Sequence, residues 1–196
     1  MDNICFTEEE INEKDEAITF VTKDDGPVIN KRKKQKQLKK THSIRDFQIN
    51  FVYQSIQKVL EKSSDGLTTS GFEKLERNTP YLFISNHRDI ILDTSLLNVS
   101  LFDHGLVMTA SAIGDNLVKK DFVLKSSKLN RNFLVQRNLS PRELFQSSKL
   151  MSEYMYHLLN KENRSVWIAQ REGRTKDGND ATHQGVLKMV AMASDE

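Results

Sequence analysis

Three polar runs each follow an apolar one: Asn86-His87-Arg88-Asp89 with Asp93, then Gln136-Arg137, then Arg171-Glu172-Gly173-Arg174 with Lys176. A neutral imidazole can take a proton from a hydroxyl near pH 7. A carboxylate on its other nitrogen fixes the tautomer and stabilises the cation that forms. Guanidinium groups fork onto phosphate oxygens. One histidine, several carboxylates and several arginines gathered at one place therefore join a general base to an anion site. Those are the parts needed to activate the hydroxyl of a phosphorylated acceptor. His87 is the candidate base, with Asp89 or Asp93 as its partner.

Such a gathering requires elements that end side by side. Tyr81-Leu82-Phe83-Ile84 reads as a compact strand running into Ser85-Asn86-His87, and 105–110, 133–135 and 166–169 read as further buried strands. Helical patterns fill 90–99, 114–128, about 141–160 and 184–193. Ser140-Pro141-Arg142-Glu143 supplies an N-cap and a proline at the first helical position. A β-like run is expected at 67–70. Upstream, Ile44, Phe47, Phe51, Ile56 and Val59 recur at helical intervals, which predicts an amphipathic helix of about five turns ended by Ser63-Ser64-Asp65-Gly66. Strands separated by helices indicate an α/β fold with a central, largely parallel sheet, and ligands of such sheets gather at the carboxyl ends of the strands. The three polar runs stand at those ends.

Composition narrows the class. The chain has 196 residues, 37% of them hydrophobic and 29% charged, as in one soluble globular domain plus a tail. A single cysteine, Cys5, excludes a disulfide scaffold and a multi-cysteine zinc site and fits a reducing, cytoplasmic compartment. His42, His104, His157 and His183 show no metal-ligand spacing, so no metal is expected. No apolar run approaches the roughly 20 residues that span a bilayer. The net charge of +2 hides an asymmetry: residues 1–30 hold nine acids against two lysines, a balance of −7, which leaves +9 for the remainder. Residues 1–41 read as a poorly packed arm, acidic and then basic, ahead of a domain at 42–196. The basic run from Lys31 to Lys40 suits an anionic membrane surface. It lacks the interleaved aromatics of a single-strand nucleic-acid binder, which argues against nucleic acid.

The stretch Phe83-Ile84-Ser85-Asn86-His87-Arg88-Asp89-Ile90-Ile91-Leu92-Asp93 resembles the first block of the glycerolipid acyltransferases, the glycerol-3-phosphate and lysophosphatidic acid (1-acyl-glycerol-3-phosphate) acyltransferases. Phe133-Leu134-Val135-Gln136-Arg137 is similar to their second block, and Glu172-Gly173-Arg174-Thr175-Lys176-Asp177-Gly178 to their third. The resemblance covers about residues 45–196. It implies the glycerolphosphate-acyltransferase-like α/β fold and transfer of a fatty acyl group from a thioester to a hydroxyl. By that resemblance His87 is the base and Asp93 or Asp89 orients it. Asn86, Arg88, Arg137, Glu172, Gly173 and Arg174 bind the acceptor, glycerol 3-phosphate or lysophosphatidic acid. The donor is acyl-CoA or acyl carrier protein, no bound cofactor is needed, and the enzyme works peripherally at the inner face of the membrane.

The chain departs from the family pattern in four places. Five residues rather than four separate His87 from Asp93, and acidic Asp89 stands where the family commonly has serine. Arg131 and Asn132 occupy the region where a glycine usually opens the second block. Glu-Gly-Arg-Thr replaces the commoner Glu-Gly-Thr-Arg. The chain ends at Glu196 where a strand and a proline-containing fourth block would follow, so the domain is expected to be incomplete at its C-terminus. Two other readings are open: the same fold acylating another lyso-lipid such as an aminolipid, and a non-catalytic module holding anionic lipid or nucleic acid.

Overall fold

Four short strands, β1 (Leu82–Ser85), β2 (Thr109–Gly114), β3 (Asn132–Val135) and β4 (Ser165–Ala169), form one sheet in the order β1-β4-β2-β3, with every neighbouring pair parallel. The computed structural model describes residues 41–177 and 181–194. The arm expected over 1–41 lies, Thr41 apart, outside the described residues, as does Gly178. Five helices accompany the strands among the described residues: α1 (44–63), α2 (Leu92–Asp103), α3 (Asp121–Leu129), α4 (Pro141–Asn160) and α5 (Gln184–Ala191). The protein is therefore α/β, with a parallel sheet flanked by helices.

Side-chain alternation along the strands builds two layers against the sheet. Val166 and Ile168 of β4, Ala110 of β2 and Phe133 of β3 pack with Met151, Met155 and Leu158 of α4, and Val186, Met189 and Val190 of α5 join them. Buried Ser147, Met151, Met155 and Leu158 recur at steps of three and four, which keeps one stripe of α4 on the sheet. Ser152 Oγ accepts the Ala193 N–H at 2.9 Å and so ties the end of the last helix to α4.

The opposite face is more polar. Thr109 and Ser111 are buried there, and Asn98 of α2 satisfies the strand's first residue twice. Its Nδ2 donates to Thr109 Oγ1 at 2.9 Å, and its Oδ1 accepts the Thr109 N–H at 2.7 Å. Outside α2 lies α1, joined through the Tyr53 hydroxyl donating to Asp103 Oδ1 at 2.7 Å and the Tyr53 ring on Phe102. Within α1 the stretch Gln48–Tyr53 is π-helical.

Several expected elements shift. The second strand, expected at 105–110, runs instead over Thr109–Gly114. Gly105 has φ +68 and closes α2: the Leu106 N–H bonds Leu101 O at 2.8 Å and the Gly105 N–H bonds Phe102 O at 3.0 Å. That pair is a Schellman cap, so the apolar residues after it lead up to the strand rather than forming it. The helix expected at 114–128 consequently loses its first part. Gly114 ends β2, Asp115–Leu117 makes a single 3-10 turn, and α3 begins at Asp121. No strand forms at 67–70, which is exposed and pairs with none of the four strands. Elsewhere the differences are one to four residues at an end. At α4, the Ser140 N–H donates to Glu143 Oε2 at 2.8 Å, the reciprocal half of a capping box.

Candidate active site

The four strands finish at one level. Ser85 pairs with Ala169, Gly114 with Val135, and Thr109 with Ser165, so equal steps along β2 and β4 bring all four ends within about a residue of each other. The connections after them form one rim in the order 86–91, 170–177, 115–120 and 136–140. His87 follows the β1 edge and Arg137 the β3 edge, three strand spacings or about 14 Å apart.

At the β1 edge, His87 Nδ1 lies 2.8 Å from Asp93 Oδ2, with 19% and 20% of the two side chains exposed. A carboxylate accepts only, so Nδ1 carries a proton, and in the neutral ring the lone pair is on Nε2. The same Asp93 oxygen accepts the backbone N–H groups of Arg88 at 2.7 Å and Asp89 at 3.0 Å. Asp93 stands in the first turn of α2, where the helix end favours negative charge. The extra residue between His87 and Asp93 is absorbed by the turn at 90–91, ahead of the helix.

Asp89, the other candidate partner, faces the helix instead. Its Oδ1 accepts the N–H groups of Ile91 at 2.8 Å and Leu92 at 2.7 Å, two donors otherwise left open at the start of α2. The Leu92 and then the Ile91 N–H hold its carboxyl below the ordinary carboxylate range. Partial burial opposes them, and the charges of Arg174 and His87 assist. The Thr175 N–H meets His87 O at 2.8 Å, so Arg174, its neighbour in the chain, lies at the His87 edge. Asn86 and Arg88 are exposed on either side of the imidazole.

At the other edge, Arg137 Nη1 bonds Glu172 Oε1, an arm reaching across from the β4 connection. The Arg137 N–H approaches Asp115 Oδ2 at 3.4 Å, and its Nε is buried without a hydrogen-bond partner among the described residues. Gly114 makes room for this arginine. A Cβ there would stand 2.5 Å from Asn116 Oδ1 and 3.3 Å from Arg137 Nε. Gly173 adopts φ +73 between Glu172 and Arg174, a left-handed conformation that glycine takes without strain. The structure therefore splits the expected residues, with His87, Asp93, Asp89 and Arg174 on one side and Arg137 with Glu172 on the other.

Residues outside the expected set support the imidazole. Trp167, expected simply as core, is buried, and its ring meets His87 edge-on with centroids 5.8 Å apart. Its Nε1 donates to Ser85 Oγ at 2.9 Å. The Thr175 N–H donates to His87 O at 2.8 Å, which fastens the Glu-Gly-Arg turn to the histidine's own backbone. Gly114 and Asp115, which the helical pattern over 114–128 includes, lie on the rim instead. The signal that exposes them is the alternation of Thr109 and Ser111 with Ala110 and Ala112, followed by Gly-Asp-Asn as a turn.

An open groove of about 440 Å³, lined among others by Gln57, Glu61, Asp65, Asp103 and His104, lies at the far end of α2, about 18 Å from the rim. It contains none of the site residues. Among the described residues no group of three or more histidine, cysteine or acidic side chains is placed to hold a metal. No helix among them is long and apolar enough to cross a membrane.

Residues 66–195 match the family model described as Acyltransferase. The match covers well over half of the chain, and the protein belongs to the acyltransferase family. Its chemistry is acyl transfer. A search of the curated proteins found no match.

Proposed function

We propose that the protein moves a fatty acyl group from an acyl thioester, acyl-CoA or acyl carrier protein, to a hydroxyl of glycerol 3-phosphate or a lysophospholipid such as lysophosphatidic acid. The observation that carries this reading is the 2.8 Å pair of His87 Nδ1 and Asp93 Oδ2 at the strand ends, with no hydrogen bond on Nε2 among the described residues. Nε2 takes the hydroxyl proton as the oxygen attacks the thioester carbonyl. The new C–O bond forms, the C–S bond breaks, and the imidazolium returns its proton to the departing thiolate. Asp93 holds the ring in the required tautomer and stabilises its cation.

In this reading the acceptor's phosphate lies between the two edges of the rim, with Arg174 reaching it from the His87 side and Arg137 from the other, the Glu172-Gly173 turn lies between them, and Asn86 and Arg88 stand beside the reacting hydroxyl. A buried Nε donor on Arg137 without a partner supports it, since a phosphate oxygen is the kind of acceptor such a group lacks. Glu172 holds the guanidinium until the phosphate takes its place. The protein meets its lipid peripherally at the inner face of the membrane in this reading, and exposed Lys119, Lys120 and Arg142 after the strand ends favour an anionic surface.

Replacing His87 with Ala tests the reading. Turnover of glycerol 3-phosphate and lysophosphatidic acid with a labelled acyl thioester should fall about 10²–10⁴-fold with the melting temperature unchanged. Full turnover in that variant would end the role given to His87.

A further inference from the structure

Eleven large apolar side chains are exposed among the described residues; Val59, Leu67, Ile84, Tyr156 and Leu187 lie outside the connections that follow the strands, and the other six lie on them. Ile90 and Ile91 follow β1, Leu117 and Phe122 follow β2, and Leu144 and Phe145 open α4 after β3, and all six are exposed. Ile91 and Phe145 leave 64% and 61% of their surface open. Single exposed apolar residues need no explanation, but a set gathered at one end of a sheet, around a site, does. These six come from three separate connections and lie toward both faces of the sheet. They form a collar around the rim, which suits a broad plane rather than a narrow peptide groove.

Charge points the same way. Carboxylates of the collar are engaged within the molecule: Asp121 with Lys125 at 3.3 Å, Glu143 with the Ser140 hydroxyl at 2.6 Å, Glu172 with Arg137, Asp93 with His87, Asp89 with the Ile91 and Leu92 N–H groups, and Asp115 with the Arg137 N–H at 3.4 Å. Lys119, Lys120 and Arg142 stand exposed among the apolar groups. We infer that this collar is the docking face for an anionic phospholipid bilayer, so that the rim carrying His87 opens directly onto the lipid surface. Apolar side chains enter the acyl boundary while neighbouring lysines and arginines meet the headgroups. The assignment deepens the lipid-acceptor reading above. It places membrane contact on the rim rather than on the Lys31–Lys40 run or on α1.

Co-sedimentation of the full chain with phosphatidylcholine vesicles, with and without an anionic phospholipid, tests it. A triple variant Leu117→Ser, Leu144→Ser, Phe145→Ser should bind about tenfold more weakly to anionic vesicles. Lys119→Gln, Lys120→Gln, Arg142→Gln should bind roughly a hundredfold more weakly at low salt and change little on neutral vesicles. Both variants should turn over a short-chain, water-soluble thioester at the parental rate. Should the triple serine variant fail to fold, Phe145→Trp serves instead, and its added emission should shift to the blue with anionic vesicles. Unchanged binding by both variants, no emission shift, or complete loss of binding on deleting residues 31–40 alone would each overturn the docking face. So would loss of binding to an acidic carrier protein with vesicle binding intact. His87→Ala separates the two readings: loss of its turnover with vesicle binding kept supports both. Retained turnover removes the catalytic role and leaves the vesicle result to decide the docking face.

Discussion

The two edges of the rim are built on opposite plans. At the β1 edge one carboxylate oxygen receives an imidazole nitrogen and two backbone N–H groups, and a buried tryptophan and a cross-strand amide brace the ring and its backbone. At the β3 edge a buried donor has no hydrogen-bond partner among the described residues, and the arginine is held chiefly by an exposed glutamate. In the proposed reading the first edge holds a proton acceptor, which must keep its geometry through the reaction because a small misplacement costs rate steeply, and the second an anion site. An anion site must give up one partner to take another. An exposed ion pair, stabilising by about 0–1 kcal/mol, is one that a phosphate can replace.

Asp93→Asn strikes the rigid edge hardest. Its amide oxygen can still meet the imidazole and the two backbone N–H groups but carries no charge to stabilise the imidazolium, and kcat should fall on the order of 10²-fold with KM little changed. The matching change at Asp89 should leave kcat within a few-fold. Equal losses from both in steady-state assays would refute the assignment of the pair to Asp93. Gly114→Ala probes the loose edge. Its new Cβ crowds Asn116 and Arg137, and KM for a phosphorylated acceptor should rise roughly tenfold with kcat retained. A fall in kcat at constant KM would mean that Arg137 acts on the chemistry and not on the phosphate.

The smallest effect concerns stability. Asp89→Ala removes the acceptor for two N–H groups at the start of α2 and should cost about 1 kcal/mol in urea unfolding, or somewhat less because solvent screens a partly open group. The folded state lowers the Asp89 pKa, so its contribution is complete above its unfolded value, near pH 4, and is lost as pH falls through the folded value. Parent and variant should therefore converge in acid. A gap that persists undiminished there would show that the carboxylate's charge is not what holds the helix start.

Legibility followed the kind of signal each element carried. The strands at β1, β3 and β4 are short apolar runs bounded by polar ones, and all were readable to within a residue or so. The start of α4 was readable because its capping chemistry is local. β2 was not, because its buried face toward α2 is Thr109 and Ser111, and only Asn98, supplied by another element, makes those residues fit a core. The β-like run at 67–70 had strand composition but no strand beside it, and composition alone does not make a ladder.

By itself the chain's order of residues determined that apolar runs would alternate with helices, that a parallel sheet would follow, and that histidine, acids and arginines would fall at strand ends. Those are matters of periodicity and neighbouring residues. Only the tertiary structure decided which aspartate meets His87, that Asp89 caps α2 instead, and that Arg137 stands across the sheet from the imidazole with Glu172 reaching it over β2. In a parallel sheet, strands adjacent in space are separated by whole crossovers in sequence. Partners at the rim are therefore chosen by strand order and register, which no local pattern records.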